Sequence, residues 1–139
     1  MAGLTLEIVT PNKISFKGDI QSITVPGTIG SFQILKNHAP LMSTFEIGEV
    51  KVVLPDDNQK YYATGGGTVE VLNNHVLVLA DSLEEIESID TERAQRAKER
   101  AENRLAQKTD TTDVERAEQA LKRSVNRLRL VEKHIRAEV

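Results

Sequence analysis

The residues best suited to chemistry in this chain are arginines. Arg93, Arg100, Arg123 and Arg127 fall in the C-terminal third, seven and four positions apart. On helices that spacing returns a side chain to nearly the same face. Guanidinium forks match phosphate and carboxylate oxygens, and four of them on one flank repel one another unless anions join them. Two anion sources are open: local Glu92, Glu99 and Glu102, making a salt-bridged face, or an external polyanion. Asp90, at the start of the first such helix, can accept from a base or ribose.

Other candidates carry less. Gly65-Gly66-Gly67 lacks the Gly-Lys-Ser/Thr of a phosphate loop and precedes a strand, which points to a bend or a close backbone approach. His38 lies in a turn with no nucleophile-elbow serine or aspartate beside it, and His75 opens a strand at the surface. Glu84, Glu85 and Glu87 read as a solvated linker. No catalytic constellation emerges. Cysteine is absent and histidines number three, so thiolate catalysis, disulfides and a metal centre are not expected. Aromatics at 4% leave no stacking platform for nucleic acid. No apolar run reaches bilayer length, and the N-terminus lacks a signal-peptide pattern.

Two kinds of element must position these residues. Up to about residue 84 the chain alternates in short apolar runs. They are Leu4-Leu6-Ile8, Ile23-Val25, Phe32-Ile34, Val50-Val52-Leu54, Val69-Val71 and His75–Ala80, the last apolar on both faces and so central. Pro11-Asn12, Pro26-Gly27, Pro55–Asn58 and Asn73-Asn74 punctuate them. Many short strands with such turns predict a β-sandwich or barrel.

From Leu83 onward Pro and Gly vanish. Ser88 or Asp90 can cap a helix that runs to about Gln107, and Lys108–Thr111 is a turn. Thr112-Asp113-Val114-Glu115 has the form of a capping box opening a second helix to about Ala137. Val114, Ala117, Leu121, Ser124, Leu128, Val131 and Ile135 form a heptad seam, facing Ala94, Ala97, Ala101 and Leu105. A short turn makes the helices antiparallel neighbours. At about 0.8 kcal/mol per buried methylene, an alanine seam binds weakly. The hairpin is therefore expected to be marginal alone and to exchange between docked and extended forms. Counting across the turn places Arg93 near Arg127 and Arg100 near Arg123.

The fold class is thus α+β: an N-terminal β-sandwich, residues 1–84, followed by an antiparallel two-helix hairpin, residues 85–139. Formal charge divides the same way. The net of −3 is the sum of −6 over residues 1–88 and +3 over residues 89–139, which suggests separate partners for the two parts.

Several motifs together resemble the ε-subunit family of bacterial F-type ATP synthases. They are Val9-Thr10-Pro11, the stretch from Gly27 to Leu41, Gly65-Gly66-Gly67, Val76–Ala80, Ile89-Asp90-x-x-Arg93-Ala94 and Leu121–Leu128. The resemblance runs the length of the chain. It implies a non-catalytic central-stalk subunit, peripheral on the cytoplasmic face of the bacterial plasma membrane. By similarity, the sandwich docks on the γ subunit and the c-ring, with Gly27, Thr28, Ile29, Gly30, Ser31 and His38 on the side that faces the ring. The hairpin of such subunits extends toward the α and β subunits to block ATP hydrolysis. In some members the folded hairpin binds ATP as a regulatory ligand. Glu84, Ile89, Asp90, Arg93, Ala94, Arg100, Arg123 and Arg127 fill the positions of that motif, which tips the arginine flank toward nucleotide. The alternative is ATP-insensitive inhibition, with the arginines serving only contacts to the α/β head.

Overall fold

A computed structural model describes residues 3–107, 109 and 113–135. The chain divides into two compact units, Met1–Glu85 and Ile86–Val139.

The first unit is all β: β1 (Leu4–Val9), β2 (Ile14–Ile20), β3 (Ser22–Gly27), β4 (Gly30–Leu35), β5 (Leu41–Val53), β6 (Gln59–Leu72), β7 (His75–Ala80) and β8 (Leu83–Glu85). They hydrogen-bond in the order β2-β1-β7-β6-β5-β3-β4, with β8 beside β6. Only β1 and β7 are parallel. The core is aliphatic, as the composition requires. Leu4, Leu6 and Ile8 alternate inward along β1, and Ile23, Val25, Ile34, Val50, Val52, Val69, Val71 and Val78 join them. Each buried side chain of this size contributes roughly 1.5–3 kcal/mol. Phe45 and Tyr62 are the fully buried aromatics of this core.

The turns follow their chemistry. Asn73 and Asn74 take positive φ (49° and 63°) between the paired Leu72 and His75, which is the two-residue hairpin expected of Asn-Asn. Thr10 and Lys13 exchange backbone hydrogen bonds around Pro11-Asn12. Pro26 has no N–H to give, and the β3–β5 ladder stops at Thr24.

Several strands are longer than the apolar runs predict, and two are additional. β2 escapes the pattern, because Lys17, Gly18 and Asp19 interrupt the apolar alternation. β5 and β6 run 13 and 14 residues. Gly65-Gly66-Gly67 lies inside β6 and gives the bend and the close backbone approach expected of it: Gly66 has φ 98°, and a Cβ on Gly67 would lie 2.0 Å from Leu79 O. The supposed linker carboxylates Glu84 and Glu85 belong to β8. β7 is central, but one face is open, with Leu79 48% exposed.

The second unit holds a short 3-10 turn (Ile86–Ser88), α1 (Thr91–Ala106) and α2 (Val114–His134).

Candidate functional site

Asp90 begins α1. Its extended backbone (φ −80°, ψ 101°) ends the preceding segment, and its Oδ1 accepts the Arg93 N–H at 3.1 Å. Of the two cap candidates, Asp90 rather than Ser88 performs the role. Asp113 does the same for α2, accepting the Arg116 N–H at 2.9 Å. The capping box expected from Thr112 lies outside the described residues, as does most of the turn expected at Lys108–Thr111. Each cap contributes about 1 kcal/mol.

The seam forms largely as spaced. Ala94 and Ala101 are buried on α1, with Ala97 and Leu105 half-buried; Ala117, Ser124 and Val131 are buried on α2. The Ser124 hydroxyl donates to Ala120 O at 3.0 Å, so a polar group sits in this small-residue contact without an orphaned donor. Ile135 departs from the stripe at 39% exposed, whereas Asn126 and Leu130 are buried outside it. The heptad count had no place for those two.

A groove of about 370 Å³ fixes the pairing of the helices. Thr91, Gln95 and Lys98 line it from α1; Val125, Leu128, Arg129, Val131 and Glu132 line it from α2. The start of one helix shares a groove with the end of the other, so they are antiparallel. On α1, at 100° per residue, Thr91 and Lys98 lie to one side of the Ala94–Ala101 line and Arg93 and Arg100 to the other. On α2 the same rotation sets Val125 and Glu132 opposite Arg123 and Arg127. The four arginines therefore share the flank away from the groove.

Two of the local carboxylates turn to other partners. Glu92 reaches Arg96 at 4.0 Å, and Glu99 accepts from Gln95 at 3.3 Å. Among the described residues, Arg93, Arg100 and Arg123 make no ion pair. Arg93 and Arg100 are exposed; Arg123 and Arg127 are half-buried, and Arg127 has a partner of its own. Ile89 is half-buried next to the cap, and Ala94 is a seam residue. Glu84, the eighth candidate, is half-buried in β8 of the first unit and has a partner of its own.

The other group of candidates is not one patch. Gly27 and Gly30 pair across a two-residue turn with Thr28 and Ile29 at its tip, and Ile29 is fully exposed. A Cβ on Gly27 would meet Gly30 O at 2.7 Å, so the turn needs glycine there. Ser31 follows, exposed, on β4. His38 lies beyond the opposite end of β4, where its N–H donates to Leu35 O at 3.2 Å. The length of β4, about 17 Å, separates it from the tip. One feature there went unread. Asn74 Oδ1 accepts the Asn37 N–H at 2.6 Å, and Asn74 Nδ2 donates to Asn37 Oδ1 at 3.3 Å, clasping two turns together. Their shared positive φ (67° and 63°) is the only signal of it, and spacing cannot show that.

Among the described residues, no cluster of His, Asp or Glu could hold a metal, and no helix is long and apolar enough to cross a membrane.

Residues 3–86 match the family described as "ATP synthase, Delta/Epsilon chain, beta-sandwich domain", and residues 87–132 match its "long alpha-helix domain". The chain belongs to the ATP synthase delta/epsilon family. It is 46% identical over 109 residues to the ATP synthase epsilon chain of Desulfitobacterium hafniense, covering 78% of this chain and 82% of that one. It is 40% identical over 111 residues to that of Salinibacter ruber, covering 73% and 74%. Solved structures at 18% identity share the fold. A chain in the Euglena gracilis mitochondrial ATP synthase OSCP/F1/c-ring assembly aligns with TM-score 0.80, over 96% of this chain and 83% of that one. One in the Tetrahymena thermophila central stalk/c-ring aligns with 0.57, over 95% and 96%. As an epsilon chain it is a non-catalytic stalk subunit, not an enzyme by itself.

Proposed function

We propose that this subunit senses ATP through the arginine flank of its hairpin, and that bound nucleotide favours the compact helical pair over an extended, inhibitory form. The observation that carries this is the exposed, unneutralised charge of Arg93 and Arg100 on the flank that also holds Arg123 and Arg127. Phosphate oxygens supply the missing anions in bidentate geometry. Asp90, already capping α1 through Oδ1, keeps a second oxygen for the ribose or base. Glu84, as a carboxylate, would join Asp90 on the base or ribose rather than on the phosphates. No catalytic machinery accompanies the flank, so ATP acts as a ligand and is not consumed.

The energetics suit a bias rather than a command. ATP at ten times its dissociation constant stabilises the binding form by about 1.4 kcal/mol. Moving a switch from 1:99 to 99:1 takes roughly 5.5 kcal/mol. Such a ligand controls only a nearly balanced equilibrium, and a seam to which α1 contributes three alanines and one leucine provides a weak contact of that kind. In the complex, the sandwich would dock on the γ subunit and c-ring through the Thr28–Ile29 tip and the His38 turn. The extended arm would meet the α and β subunits. The subunit would then be peripheral, at the cytoplasmic face of a bacterial membrane.

Thermal unfolding of the full chain with and without ATP tests the sensing. ATP should raise the midpoint of the wild type, and Arg93→Ala should abolish the rise. A wild type indifferent to ATP would leave the flank as a protein-binding surface. In that case Arg123→Ala would relieve inhibition of hydrolysis in the assembled enzyme at every ATP level.

A further inference from the structure

β7 and β8 are two parts of one run along β6. Gly67↔Ala80 and Thr64↔Leu83 lie in the same register, so no residue is inserted at Asp81 and Ser82. The run bends there with the glycines of β6: Asp81 N–H donates to Gly66 O at 2.8 Å, and Gly65 N–H to Ser82 O at 3.1 Å. The buried Thr64 hydroxyl donates to Ser82 O at 3.0 Å and accepts the Gly66 N–H at 3.2 Å. Beyond this staple β8 continues through three backbone pairs, Thr64↔Leu83, Ala63↔Glu84 and Tyr62↔Glu85, with Leu83 packed on the core and Glu84 held by a further partner of its own. At the far end Glu85 Oε1 lies 3.6 Å from Lys60 Nζ, and that ammonium stands 5.9 Å from the centroid of the Phe16 ring. The boundary between the two units falls directly after Glu85.

We propose that β8 is a releasable strand, clasped at its outer end by the Lys60–Glu85 ion pair, and that its release lengthens the tether to the helical unit. The two ends of β8 are unequal. The Ser82 end is fixed by a buried hydroxyl, whereas the Glu85 end is fixed by side chains 41% and 51% exposed. An exposed pair contributes little and is screened by salt. Opening therefore starts at Glu85 and stops at the Thr64–Ser82 staple. Each freed residue adds about 3.3 Å of reach, roughly 10 Å over the three. The importance of that reach rests on the regulatory reading above, since a variable tether matters only to an arm that moves.

Amide hydrogen exchange on the full chain without nucleotide tests the clasp, because exchange reports local opening. Wild type, Lys60→Gln, Glu85→Gln and the double variant are compared at low salt and at about 0.5 M salt. In the wild type, amides 83–85 should exchange faster than those of Val69 and Val78. Each single variant should speed them about two- to fivefold, and the double variant no further. High salt should bring the wild type to the variants' rate. Equal protection of 83–85 and the core, or no response to either substitution or to salt, would overturn the proposal. So would acceleration of the whole unit together. Repeating the series with ATP separates the two readings. Protection of α1 by ATP without the clasp signature removes the clasp alone; the clasp signature without any ATP effect removes the sensing alone.

Discussion

Arg100→Gln isolates the charge that the proposed nucleotide grip uses. Arg100 is exposed and makes no ion pair among the described residues, so without ATP the change should move stability by no more than about 0.5 kcal/mol. With ATP at ten times the wild-type dissociation constant, binding should slow α1 amide exchange about elevenfold. Losing one charge-assisted hydrogen bond costs about 1.5–3 kcal/mol, which weakens binding at least about tenfold. At the same ATP concentration the variant should then keep about twofold protection, or roughly 0.4 kcal/mol. Lys98→Gln is the matched control. Lys98 lines the groove on the other side of the Ala94–Ala101 line from Arg93 and Arg100, so it removes the same charge away from the flank. It should retain nearly the full protection. Hydrogen exchange at matched ATP reads both. Equal loss in the two variants would mean diffuse charge attraction; full protection in Arg100→Gln would mean that the flank does not hold the phosphates.

Two further expectations concern the sandwich. Burial, and then the neighbouring Glu85 carboxylate, push the Tyr62 phenol up to about 12 from 10.0. The folded state holds that proton more tightly than the unfolded state, so this contribution is complete below pH 10 and disappears as pH rises toward 12. Urea titrations across that range should show stability falling by on the order of 2 kcal/mol, and Tyr62→Phe should flatten the fall. Gly67→Ala places a Cβ 2.0 Å from Leu79 O, so the β6–β7 ladder must shift. Chemical denaturation should register a loss of roughly 3 kcal/mol, whereas Gly3→Ala, with open space around it, should register almost none.

The division into sandwich and hairpin was legible because two periodicities meet near Leu83, and each is a direct imprint of backbone geometry. The arginine flank was legible for the same reason: seven- and four-residue steps survive any detail of packing. What escaped depended on partners distant in sequence. β2 pairs with β1 although Lys17, Gly18 and Asp19 break its alternation, so the ladder overrides local propensity. β8 has three residues, too few for a pattern to be visible. Asn126 and Leu130 are buried outside the heptad stripe, on a helix surface that counting for one partner assigns to solvent. The Gly27–Ser31 turn and the His38 turn lie at opposite ends of β4, a spacing that the resemblance, which groups them by the partner they face, does not state.

The parallel pairing of β1 with β7 orders events during synthesis. Thr5 is matched with His75, 70 residues on, and at 5–20 residues per second the ribosome needs roughly 3 to 15 s to deliver the second partner after the first. Until then Leu4, Leu6 and Ile8 have only β2 beside them, and the slow, non-local closure of the sandwich waits on β7. The helices are drawn from a shorter stretch, Thr91 to His134, and Thr91 and Glu132 of one groove are 41 residues apart. They follow the strands out and close over a shorter separation, so the arm forms only after every strand of the sandwich has left the ribosome.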